Sequence, residues 1–162
     1  MNKQMQNNIS SFLICLSIMI ALLGTGCKKE TRELYHRFPD KSWMRFNLLS
    51  FEIPVDEVNV YNVYLFARFV PDFQYETLDF NMVMTTAAGE ERINEYQMDV
   101  KSKSGEYFIA CTKDSCQGTI LLKRELNLSK PGILKIEIEN LTPRLKTEGI
   151  LGVGIRLVPS GK

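Results

Sequence analysis

The chain has 162 residues, of which 44% are hydrophobic and 24% charged, with 20 Lys+Arg against 19 Asp+Glu. A formal net charge of +1 supplies no electrostatic footprint for nucleic acid. A single His and four Cys leave few ligands for a metal centre.

Lys3 lies in a polar start, and an apolar run from Ile9 to Leu23, broken by serines, leads through Gly24-Thr25-Gly26 to Cys27. That is the three-part layout of an export signal, and the run is shorter than the roughly 20 residues that span a bilayer. Small residues directly before a cysteine predict a signal peptide over 1–26, cleaved to leave Cys27 as a lipidated first residue. The other reading is a signal-anchor helix with an incidental cysteine. Two or more acyl chains, at ~0.8 kcal/mol per buried CH₂, would hold the mature chain on a membrane. Residues 27–34, with Lys28, Lys29 and Arg32, read as a lipidated, solvated tether. The remainder, 35–162, has the size of one domain.

The segment from Tyr35 to Trp43 mixes aromatics with turn formers around Pro39-Asp40. Phe46 and Leu48, then Leu49, Phe51 and Ile53, switch phase and predict a strand with a bulge near Leu48, ended by Pro54. Tyr61 to Val70 is apolar on both phases except at Arg68, as expected of a central strand covered on both faces. Leu78, Phe80, Met82 and Met84 alternate with polar neighbours, and Ala88-Gly89-Glu90 predicts a hairpin turn to a strand carrying Tyr96 and Met98. Further alternation runs through Ile120, Leu122, Leu126 and Leu128, then Leu134, Ile136 and Ile138, then Leu151, Val153, Ile155 and Leu157. About eight strands at regular spacing predict an all-β fold, an antiparallel β-sandwich of jelly-roll type.

Cys111-Thr-Lys-Asp-Ser-Cys116 encloses four residues. Outside the cytoplasm such a pair most simply forms a local disulfide; two free thiols or a redox pair are the alternatives. Chemistry elsewhere is thin. His36 lies beside the tether, no Gly-x-Ser-x-Gly occurs, and Glu137 and Glu139 alternate with Ile136 and Ile138 as a solvated strand face would. Neither an enzyme, nor a cofactor, nor a metal site is expected. Arg68 and Arg156 stand in otherwise apolar strands, either as inward salt bridges fastening strand ends or as anchors for a partner. Trp43, Phe69, Phe73 and Tyr75 read first as core packing and loop anchoring, with Trp43 over the edge of the core; the other reading makes them candidates for an exposed recognition surface, with the loop at Phe73–Tyr75 foremost.

The chain resembles the gliding-motility lipoprotein GldH family of Bacteroidetes. The resemblance rests on the signal and Cys27, on Tyr35…Phe38-Pro39…Trp43, and on Arg68 leading through Phe73 and Tyr75 to Leu78. It continues through Pro131-Gly132, Lys135-Ile-Glu-Ile-Glu139, Arg144, and Gly149-Ile150…Val153-Gly154-Ile155-Arg156. It implies an outer-membrane lipoprotein of a gliding-motility or type IX secretion-linked machinery, and with no catalytic group expected from the residues the reading is a non-enzymatic scaffold or accessory subunit of it. Its partners would be the membrane, through the lipid, and other envelope proteins. Lys28 after Cys27, and the lack of an acidic run there, favour the periplasmic face. The competing function is a cell-surface carbohydrate-binding module.

Overall fold

The computed structural model describes residues 31–160; the predicted signal peptide and Cys27 lie outside them. Eleven strands occur in chain order: β1 (Arg32–Arg37), β2 (Ser42–Met44), β3 (Leu48–Val55), β4 (Asn59–Phe69), β5 (Thr77–Thr85) and β6 (Glu91–Asp99). Then come β7 (Ala110–Cys111), β8 (Cys116–Leu128), β9 (Gly132–Asn140), β10 (Lys146–Glu148) and β11 (Ile150–Pro159).

The long strands build two sheets, ordered β1-β11-β4-β8 and β3-β9-β5-β6, with short β7 extending the first beyond β8. Every pairing is antiparallel, and the first strand lies beside the last. Because most consecutive long strands lie in opposite sheets, this is the jelly roll that the spacing predicted. The short strands β2 and β10 form a separate ladder at one end.

Alternation dictates the core. Leu49, Phe51, Ile53 and Val55 of β3, Leu78, Phe80, Met82 and Met84 of β5, and Leu134, Ile136 and Ile138 of β9 face inward. They meet Val63, Leu65, Ala67 and Phe69 of β4 and Val153, Ile155 and Leu157 of β11. The open sides are closed by polar side chains. Arg32 donates to the Pro54 carbonyl and pairs with Asp56 across one side. On the other, the Tyr96 hydroxyl donates to the Leu122 carbonyl at 2.6 Å, and burial pushes that phenol above its ordinary value.

Several local expectations are corrected. Arg32, Glu33 and Leu34 are not tether but the start of β1. No bulge interrupts β3, whose register runs evenly from Leu48 opposite Glu139 to Val55 opposite Gly132. Phe46 precedes β3 in a turn in which the Asn47 amide donates to the Met44 carbonyl at 3.2 Å, and it is exposed at φ 66°. Pro54 stays within β3, which a proline tolerates because β3 is a sheet edge with one unpaired side. The register does shift between β4 and β8 around Val63, and in β11 between Ile150 and Gly152. The second shift turns Ile150 inward and leaves Leu151 half-buried.

Candidate functional site

The outer face of the five-stranded sheet gathers residues from β1, β11 and β4 into cross-strand rows. Arg37 pairs with Gly152, which pairs with Arg68, which pairs with Gln117. One row along, Tyr35, Gly154 and Phe66 are partners, and beyond them Glu33, Arg156 and Tyr64. Alternation puts all of these on the side away from the core.

The glycines make the row of rings possible. A Cβ at Gly152 would overlap the Tyr35 phenol, and one at Gly154 would lie 2.6 Å from both Phe66 Cε1 and the Leu34 carbonyl oxygen. The Tyr35 and Phe66 rings therefore rest on bare backbone, with centroids 5.7 Å apart and planes within 10°. Each is capped by a guanidinium: Arg68 Cζ lies 5.4 Å from the Tyr35 centroid and Arg156 Cζ 5.2 Å from that of Phe66. Contacts of this kind contribute about 0.5–1 kcal/mol each at exposed sites. Arg156 Nε is held by Glu33 at 2.7 Å, and Arg68 Nε donates to Gln117 Oε1 at 3.0 Å. Burial raises the Tyr35 phenol above its ordinary value, against the opposing pull of the Arg68 and Arg37 guanidiniums.

At the Arg37 end this face opens into a groove of about 320 Å³, lined by Tyr35, Arg37, Lys41, Arg68, Asp114 and Ser115 among others. Its wall on the β8 side is the loop closed by the Cys111–Cys116 disulfide. That bond resolves the choice the sequence left open between a disulfide and free thiols. Inside the loop Thr112 and Ser115 also bond backbone to backbone at 2.8 Å. Replacing both cysteines by serine should cost about 2 kcal/mol on the chain-entropy model. For a domain of this size the unfolding midpoint should fall by about 6–10 °C. Thermal unfolding of the oxidised and double-serine proteins measures it.

The structure brings Arg68 and Arg156 onto one face and separates them from the other candidates. Neither arginine is an inward salt bridge; both point outward, because they share the strand phase of Phe66 and Gly154 rather than that of the core. Trp43 and Phe73 are fully buried, so neither belongs to an exposed surface. Trp43 Nε1 donates to the Asn47 carbonyl at 3.0 Å, and its ring stacks on Phe38. Phe73 packs between Phe69 and Tyr75, because its loop folds back under Val70 instead of standing out. Tyr75 is half-buried with Arg144 5.6 Å from its centroid. His36 is exposed on β1 with its ring edge against Phe38. Glu137 faces outward beside Lys135, at 2.9 Å. Among the described residues no cluster of three or more His, Cys, Asp or Glu could hold a metal ion.

Tyr35, Phe66, Arg37 and Lys41 do not stand out as site residues in the sequence. The signal that could have found them is the pair Gly152 and Gly154 inside an apolar strand, since glycine there marks a close approach by another group.

No curated protein matches the chain. Among solved structures it is similar to an Eiger TNF from S. frugiperda, at 12% identity and a TM-score of 0.39, over 82% of this chain and 92% of that one. It is also similar to dimeric latent PorU from Porphyromonas gingivalis, at 10% identity and a TM-score of 0.36, over 85% of this chain and 14% of that one. At these scores neither likeness informs function. The family model for the GldH lipoprotein matches residues 30–157, nearly the whole described body. The chain therefore belongs to the GldH lipoprotein family, which marks it as a gliding-motility-related, membrane-anchored lipoprotein.

Proposed function

We propose that the protein is a non-enzymatic scaffold, anchored through Cys27 to the periplasmic face of the outer membrane, that holds another envelope protein of a gliding or secretion assembly. The observation that carries this reading is the outer sheet face, where two arginines and two rings are fixed on a glycine floor. Arginine and aromatic side chains held in place on a rigid sheet are the groups that dominate protein–protein recognition. Acylation would confine that face to a plane and raise its effective concentration for membrane partners.

The carbohydrate-binding alternative needs open ring faces for sugar stacking. Here Trp43 and Phe73 are buried, and guanidiniums stand over Tyr35 and Phe66. The surface thus favours charged partners over neutral glycans.

In cells lacking the native protein, the wild type should restore surface spreading and Cys27→Ala should not, at equal protein levels. Full restoration by Cys27→Ala would show that confinement to the membrane is not how the protein works.

A further inference from the structure

We infer that the row Arg37–Gly152–Arg68 is an oxyanion-binding site that receives a carboxylate side chain from an acidic segment of a partner protein. The register sets the two arginines on either side of one glycine, two strand spacings or roughly 10 Å apart at their Cα atoms. Long side chains close that gap from both sides. The Tyr35 ring fills the space a side chain at position 152 would take, so its hydroxyl lies between them, and both guanidiniums act on its titration.

Lys41 adds a third cation on the rim and Ser115 a hydroxyl. Among the described residues Arg37, Lys41 and Arg68 make no ion pair, and Asp114 is the one carboxylate lining the groove. Arg156, by contrast, is neutralised by Glu33. The face therefore has a satisfied half and a half with surplus positive charge. With Arg68 Nε committed to Gln117, its terminal nitrogens remain as donors. Guanidiniums are suited to planar, bidentate recognition of carboxylate.

Size and position choose the occupant. About 320 Å³ is at the lower limit of ligand pockets and suits one or two side chains. The chain enters the body at Arg32, and β1 runs six residues to Arg37, so the site lies roughly 17 Å farther along, at about 3.3 Å per residue. On the anchored reading proposed above, on which this step rests, that separation from the chain's point of entry leaves the groove open to soluble parts of envelope proteins.

The test uses the full chain in detergent, titrated calorimetrically with a hexaglutamate peptide and separately with glycerol 3-phosphate, a soluble headgroup mimic. Hexaglutamate should bind, and Arg37→Gln/Arg68→Gln should weaken it roughly tenfold or more. Arg37→Gln/Lys41→Gln, at two exposed side chains, should weaken it too without lowering the unfolding temperature, while Lys103→Gln/Lys130→Gln should not. Glycerol 3-phosphate should bind at least roughly tenfold more weakly than the peptide. Absence of peptide binding, or equal binding by the groove variants, overturns the proposal. So does glycerol phosphate binding as tightly as the peptide at the same residues, which would make this a headgroup site. None of these results depends on acylation, so they separate this site from the anchored-scaffold reading, which the Cys27→Ala experiment tests.

Discussion

Trp43→Ala should destabilise the protein by about 3–5 kcal/mol, the range for emptying a buried aromatic position. Trp43 is fully buried, stacks on Phe38 at 5.7 Å and donates its indole N–H to the Asn47 carbonyl. It also sits on a polar hub. Buried Asn140, at the end of β9, donates to the Trp43 carbonyl and to Thr147 Oγ1, each at 3.0 Å, and accepts from the Thr142 amide. Those bonds tie the β2–β10 ladder to the four-stranded sheet. Loss of the ring leaves a cavity beside groups that must keep their partners. Domains of this size are stable by only about 5–15 kcal/mol, so the variant should unfold at much lower urea. A change below about 1 kcal/mol would mean that Trp43 is a surface group after all.

Gly154→Val should cost about 2–4 kcal/mol and release β1 from the sheet. A Cβ there meets the Leu34 carbonyl oxygen, which is backbone, and the Phe66 ring, which is packed over the strand. Neither can yield without breaking the pairing of β1 with β11 or lifting Phe66 off its floor. Hydrogen exchange should show the β1 amides losing protection before the amides of β4 and β9. A Gly154→Val protein with wild-type stability and an intact β1 would contradict the close approach on which the arginine–aromatic face depends.

Wherever one strand face is wet and the other dry, as in Leu78–Met84 and Leu134–Ile138, the fold was legible, because alternation alone states which side is the core. The disulfide was legible too, since its two ends are only five positions apart. Pro54 was misread as a strand end because only topology reveals that β3 is an edge. The two three-residue strands β2 and β10 leave no periodicity to detect, and Asn140, which bonds to both, lies near β10 but 97 residues from Trp43. Full burial of Trp43 and Phe73 is likewise a tertiary fact; aromatics in loops and very short strands look alike whether they anchor the core or face solvent. Arg68 and Arg156 were found as exceptions in apolar strands, but their common face needed register. Tyr64, Phe66 and Arg68 share one phase, and only the pairing with β11 and β1 shows that phase to be the outside.

The account depends most on the lipid at the processed amino terminus, which turns a jelly roll into a tethered one. Mass spectrometry of the amino-terminal peptide from native membranes tests it most directly. The expected fragment begins at Cys27 and carries acyl chains on that residue. A fragment that retains residues 1–26, or one that begins at Cys27 with an unmodified thiol, would contradict the account.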